Sequence, residues 1–261
     1  IIKVIILAAG IGSRMNKYTQ SLPKCMIKIN DKTLLERQIN TINKVGINNI
    51  SIVTGYKAEA INYPNIKYYH NKLFNSTNMI ESLMCASDEF NQDLIITYGD
   101  LIYTEHALRK LMVAKSEVCV CIDSEWKNYW MYRYGEIDTD LETLTINNNT
   151  IVELGSTVSS SKNIFNRYVG IIKISKKIIP EILSIYKAKR KTNNKWEKSL
   201  QPFLKGYMTD LLNEMIVNNI SLDPIEINKN WLEIDTSTDY DNLVRDYNNG
   251  NLNKYYLGDL N

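Results

Sequence analysis

The chain is poor in histidine and cysteine. With only His70 and His106, a metallo-hydrolase or a histidine-based triad has few parts to work with. The four cysteines, Cys25, Cys85, Cys119 and Cys121, fall in segments that read as loop, helix and strand, and no Cys-x-x-Cys or Cys/His cluster suggests a zinc site. They are expected to be unpaired thiols of a cytoplasmic protein. Charge of one sign is also lacking: 31 Lys and Arg against 29 Asp and Glu leave a net charge of +2, so nothing advertises nucleic acid or a membrane surface as a partner. A small anionic substrate needs only a few local cations. Long hydrophobic runs are absent too, since Val4 to Ala9 and Val118 to Ile122 are strand-sized against the roughly 20 residues of a bilayer span. The opening Ile-Ile-Lys-Val-Ile-Ile-Leu-Ala-Ala-Gly mimics a secretion signal, but Gly12, Arg14 and Lys24 follow without a small-residue cleavage site. It reads as a first core strand.

What is present is strand and helix in alternation. Ile2 to Leu7, Ile50 to Val53, Leu94 to Thr97 and Val118 to Ile122 are short Ile/Val/Leu-rich runs, while Thr33 to Val45 and Glu105 to Ala114 show helical spacing. The runs are near-continuously apolar, as in parallel strands covered on both faces, so an α/β fold with a mostly parallel central sheet sandwiched by helices is expected. Past Asp123 the chain turns Trp- and Tyr-rich, with strands expected at Thr150 to Leu154 and Tyr168 to Ile174 and helices around Ile178 to Lys189 and Met208 to Asn218. We expect one domain over residues 1–261, made of a first half (about 1–123), a second half (about 124–245) and a loosely packed polar tail (246–261). No internal repeat is visible.

The segment Leu7-Ala8-Ala9-Gly10-Ile11-Gly12-Ser13-Arg14-Met15 follows the first strand directly, at the sheet edge where open α/β folds bind ligands. Ala8, Ala9, Gly10 and Gly12 carry little or no side chain, which lets backbone amides approach phosphate oxygens, and Arg14 offers a planar fork of donors. A dinucleotide fold is disfavoured because Met15 occupies the third glycine's place. A Walker loop is disfavoured because Lys24 comes late and follows Pro23.

Leu-Ala-Ala-Gly-x-Gly-x-Arg with Pro23-Lys24 resembles the signature of the sugar-phosphate nucleotidyltransferase superfamily. The resemblance implies a Rossmann-like nucleotidyltransferase fold, with Arg14 and Lys24 as catalytic cations that neutralise a triphosphate, Lys24 beside the α phosphate. It places Leu7, Ala8, Ala9, Gly10, Gly12, Ser13, Tyr98 and Gly99 around the nucleotide, and Asp100 and Asp235 on a catalytic magnesium. Read singly, Asp100 caps the next turn and Asp235 caps a helix from Thr236 to Leu243. Mg²⁺ suits one or two carboxylates completed by phosphate and water.

Asn75-Ser76-Thr77-Asn78-Met79-Ile80-Glu81-Ser82-Leu83 resembles the CTP-using branch of the superfamily, the phosphocholine cytidylyltransferases and their relatives, and puts Asn78 and Ser82 at the base and ribose with Thr54 and Tyr56 nearby. The same stretch reads as a helix start in which Asn78 and Glu81 form a capping box. Trp126, Tyr129, Trp130, Tyr132 and Tyr134 leave three readings open: a cage for a cationic acceptor, core, or a homodimer face. The resemblance adds Glu153, Tyr168 and Asp210 as acceptor-binding residues. Trp126-x-x-x-Trp130, Glu153-Leu154-Gly155 and Tyr207-x-x-Asp210 further resemble cytidylyltransferases of capsule modification that act on an amino-acid-derived phosphate such as phosphoglutamine. The expected partners are therefore CTP and a small phosphorylated acceptor. A sugar-1-phosphate uridylyl- or thymidylyltransferase and a non-catalytic nucleotide-sensing subunit are the alternatives.

Overall fold

A computed structural model describes residues 1–260. In chain order the strands are β1 (Ile2–Ala8), β2 (Lys28–Ile29), β3 (Lys32–Thr33), β4 (Ile50–Thr54), β5 (Lys67–His70), β6 (Asp93–Tyr98), β7 (Leu101–Tyr103), β8 (Val118–Asp123), β9 (Glu142–Asn147), β10 (Thr150–Thr157), β11 (Arg167–Ile174), β12 (Asp223–Glu226) and β13 (Trp231–Glu233). The helices are α1 (Leu34–Lys44), α2 (Met79–Cys85), α3 (Glu105–Val113), α4 (Trp126–Tyr134), α5 (Ile179–Thr192), α6 (Met208–Val217) and α7 (Ser237–Asn248). None is long and apolar enough to cross a membrane.

Seven strands form the central sheet in the order β12-β8-β11-β6-β1-β4-β5. All neighbours are parallel except β11, which runs antiparallel to both β6 and β8. Consecutive residues of β1 serve opposite faces: Val4, Ile6 and Ala8 join one buried cluster with α1 and α3, while Ile5 and Leu7 join another with α2, α5 and α6. A strand with core on both sides has no solvent face to signal by alternation, which is why its sequence is apolar from Val4 to Ala8. Thr33 starts α1 by accepting a hydrogen bond from the Glu36 amide at 2.9 Å, and Gly46, at φ 88°, follows its end.

The second half is not a separate layer, because β11 is threaded between β6 and β8 of the first half. The expected loose tail is also corrected. Leu252, Tyr256 and Leu260 are buried in the core cluster, Arg37 donates to the Leu260 carbonyl at 2.6 Å, and the Leu257 amide donates to the Lys229 carbonyl at 2.8 Å. Apolar residues spaced through an asparagine-rich segment bury it despite its polar composition.

Candidate active site

The carboxyl ends of β1 and β6 lie side by side, with Leu7 in register with Tyr98 and the Gly99 amide bonded to the Leu7 carbonyl at 2.9 Å. Between them opens a cleft of about 180 Å³. The loop after β1 forms one wall. Gly12 is left-handed at φ 67°, and a Cβ there would meet Lys24 Cβ at 2.9 Å, so the position needs glycine on both counts. Fully buried Met15 anchors the turn that follows, and Thr19 donates to the Gly12 carbonyl at 3.0 Å.

Of the residues expected at the nucleotide, Leu7, Ala8, Ala9, Gly10, Gly12, Lys24, Asn78, Ser82, Tyr98 and Gly99 line this cleft, as does Asp100 from the expected metal pair. Ser13 sits on the exposed turn beyond it. Thr54 and Tyr56 do not line it. Thr54 donates to the Tyr69 carbonyl at 3.1 Å, and Tyr56 donates through its hydroxyl to the Thr19 carbonyl at 2.9 Å, so both brace the wall from behind. Asn78 does begin α2, its side chain accepting from the Met79 amide at 2.9 Å. The expected capping box does not form, because Glu81 accepts from the Tyr186 hydroxyl at 2.7 Å instead. Phe74, Thr77 and Met79 complete this side of the cleft. Buried Asn71 donates to the Thr77 and Ser82 hydroxyl oxygens at 3.0 and 2.9 Å and so fixes both. Asn71 lies between His70 and Lys72, with its hydroxyl partners six and eleven residues further on, so no local pattern marks it in the sequence.

Two carboxylates far apart in sequence meet Lys24 at the mouth. β13 pairs antiparallel with β7, Glu233 opposite Leu101, and the Ile234 amide donates to the Asp100 carbonyl at 3.0 Å. That ladder sets Asp235 beside Asp100. The Lys24 ammonium donates to Asp100 at 2.5 Å and to Asp235 at 2.9 Å, and Arg14 pairs with the other oxygen of Asp235. Burial alone would lower the pKa of Lys24, but the two carboxylates outweigh it and raise it above the ordinary lysine value. Asp235 is not a helix cap: Thr236 caps α7, accepting from the Asp239 amide at 3.1 Å, which leaves the Asp235 carboxylate for the site.

Asp100 and Asp235 fit a hard divalent cation. Asp100 Oδ1 is buried without a hydrogen-bond partner, and two carboxylates leave places for phosphate and water oxygens, as Mg²⁺ prefers. Among the described residues no group of three or more His, Cys, Asp or Glu could hold a metal unaided.

The expected acceptor residues are dispersed. Trp126 and Trp130 are fully buried, and the indole of Trp130 donates to the Thr139 carbonyl at 2.8 Å, so neither offers a face to a ligand. The cations over Trp130 are the protein's own, Arg167 at 3.9 Å and Arg133 at 4.8 Å from the ring centroid. Asp210 caps α6, accepting from the Tyr207 amide at 2.9 Å and the Ser199 hydroxyl at 2.8 Å. Glu153 accepts from Thr143 and Ser156, each at 2.7 Å, and lies outside the cleft. Tyr168 comes nearest: its hydroxyl is 2.5 Å from that of Tyr98, a cleft residue. Glu233, whose pKa is raised by burial, is near enough to Asp100 and Asp235 for their charges to raise it further, and Glu142, also raised by burial, lies 3.9 Å from Arg167.

Residues 4–156 match the MobA-like NTP transferase domain. The chain is 34% identical over 247 residues to the CTP:phosphoglutamine cytidylyltransferase of Campylobacter jejuni, covering 90% of this chain and 96% of that protein. It is 30% identical over 138 residues to the choline-phosphate cytidylyltransferase of Streptococcus pneumoniae, a match that spans 51% of this chain and 59% of the relative. In structure it is similar to a CTP:phosphocholine cytidylyltransferase from Streptococcus pneumoniae, with a TM-score of 0.70 at 18% identity over 94% of this chain and 98% of that one. A UDP-glucose pyrophosphorylase superposes with a TM-score of 0.72 at 14% identity, over 96% of this chain and 100% of the other. At such identities the likeness shows the fold alone.

Proposed function

The chain belongs to the MobA-like NTP transferase family and is a nucleotidyltransferase, and from that premise we propose that it transfers CMP from CTP to a small non-sugar phosphate, with magnesium as cofactor and pyrophosphate as the leaving product. The observation that carries this reading is the meeting of Lys24, Arg14, Asp100 and Asp235 at the mouth of a glycine-walled cleft. The relative that matches across 90% of this chain takes CTP and phosphoglutamine by its name, and an amino-acid-derived phosphate is the acceptor class we favour. Phosphocholine is the weaker candidate, because the two tryptophans that would have caged its cation are buried.

In this reading an oxygen of the acceptor phosphate attacks the α phosphorus; the new P–O bond forms as the bond to the pyrophosphate oxygen breaks, in line with it. Catalysis is then positioning and charge neutralisation. Small residues from Ala8 to Gly12 let backbone amides approach the phosphates. Lys24 and Arg14, now paired with carboxylates, transfer their charge to the α phosphate and the departing pyrophosphate. Asp100 and Asp235 would hold magnesium, which when bound would supply Lewis-acid neutralisation of phosphate oxygens. No protein nucleophile is required.

A pyrophosphate-release screen tests this, pairing CTP, UTP and dTTP with phosphoglutamine, phosphocholine, phosphoethanolamine, aminoethylphosphonate and sugar-1-phosphates. Release is expected with CTP and a non-sugar acceptor, lost on chelation and restored by Mg²⁺. Release with UTP or dTTP and a sugar-1-phosphate, but not with CTP, would overturn it.

A further inference from the structure

Arg133 is the most deeply buried cation near the site, with 1% of its side chain exposed. It lies on α4 between the faces of Trp130 and Tyr134, 4.8 and 4.9 Å from their ring centroids. A buried guanidinium is retained only where its donors are met by anions, and here they are. Nε and Nη2 grip both oxygens of Asp239 at 2.9 and 2.8 Å, while Nη1 donates to Glu233 at 2.5 Å.

The two anions bracket Asp235. Glu233 precedes it by two residues on β13, and Asp239 follows it in the first turn of α7. The oxygen of Asp239 held by Nη2 also accepts from the backbone amides of Asp235 and Thr236, at 3.0 and 2.9 Å. A rigid fork on α4 thus fixes Asp239, Asp239 fixes the backbone of Asp235, and the Asp235 carboxylate faces Lys24 and Arg14.

We propose that Arg133 is a positioning residue for nucleotidyl transfer, acting through Asp239 to hold the Asp235 carboxylate in its place beside Asp100. The inference rests on the reading of Asp235 as a metal-holding group. Its footing is geometric: three of the guanidinium nitrogens are committed to the two flanks of a single site residue, and a planar bidentate fork resists rotation in a way that a lysine ammonium does not.

The test uses Mn²⁺ as the probe, with binding to the full chain in the presence of CTP and absence of acceptor followed by the paramagnetic resonance of the free ion. Arg133→Lys keeps the charge and loses the fork; Asp239→Asn keeps the shape and loses the ion pair; Asp235→Ala is the control. Both of the first two are expected to weaken Mn²⁺ binding about tenfold and to lower kcat, as the loss of a partner behind a metal ligand does, while CTP affinity measured without metal stays unchanged. If Arg133→Lys does not fold, Asp239→Asn decides. A lower melting temperature with wild-type Mn²⁺ affinity would make the role purely structural and overturn the proposal, provided that Asp235→Ala loses binding. Wild-type Mn²⁺ affinity in Asp235→Ala would instead overturn the reading of the site itself.

Discussion

Gly12 and Lys24 pack so closely that a side chain at Gly12 would place its Cβ 2.9 Å from that of Lys24. The glycine loop and the lysine are therefore one mechanical piece, although Ser13 to Pro23 separate them in sequence.

Gly12→Ala should act through the lysine. The added methyl meets Lys24 at a φ of 67° that alanine adopts only under strain, so stability should fall by about 1–2 kcal/mol. Turnover should fall about 100-fold, the usual result of misplacing a reacting group by about 1 Å. Gly10→Ala, with nothing within 4 Å of the new Cβ, should melt like the parent. Thermal melts and pyrophosphate release on both variants check this, and equal melting temperatures would contradict the packing.

Lys24→Met removes the ammonium that Asp100 and Asp235 share. Turnover should drop by about two orders of magnitude or more. Only Arg14, on Asp235, is then left to offset the two carboxylates, so added Mg²⁺ should raise the melting temperature of the variant more than that of the parent. Near-normal turnover would remove Lys24 from the mechanism.

At the far end of the sheet, Glu89 accepts from Tyr69 at 2.8 Å and pairs with Lys67 at 3.0 Å and Lys3 at 3.3 Å. Burial opposes its charge, but the hydrogen bonds from Lys67 and Tyr69 and the charge of Lys3 prevail and hold the carboxyl down at about 2. A depressed folded value adds stability above the unfolded pKa of about 4.3, which is lost as pH falls toward about 2. Glu89→Gln should therefore cost about 2 kcal/mol near neutral pH, and its deficit should shrink across that acid window. Urea titrations at several pH values give the measurement, and a pH-independent deficit would rule the linkage out.

The sheet was legible because β1, β4, β6 and β8 carry near-continuous apolar runs in place of strict alternation, the pattern of strands buried on both faces. The loop was legible because Gly12 and Lys24 are constrained by backbone geometry and charge, which act at short range. The aromatic helix stayed open between cage, core and dimer face because spacing says that Trp126, Tyr129, Trp130 and Arg133 share a stripe but not what the stripe faces. Asp210 misled for a related reason: a carboxylate three residues after Tyr207 serves as a helix cap as readily as it would hold an amine. Arg133 was the missed clue, since a cation in a buried aromatic stripe requires an anion, and that anion lies on α7 far along the chain.

The threading of β11 also bears on how the chain can assemble. β6 and β8 follow one another among the strands of the central sheet, yet neither pairs with the other; Arg167–Ile174 lies between them. A chain growing from its first residues can therefore assemble β1, β4, β5 and β6, but carries an unmatched apolar edge on β6 until β11 emerges. Asp100 follows directly from that exposed strand, whereas Asp235 arrives still later, after β12. The walls of the cleft are thus encoded early in the chain, whereas its full charge is encoded only near the end.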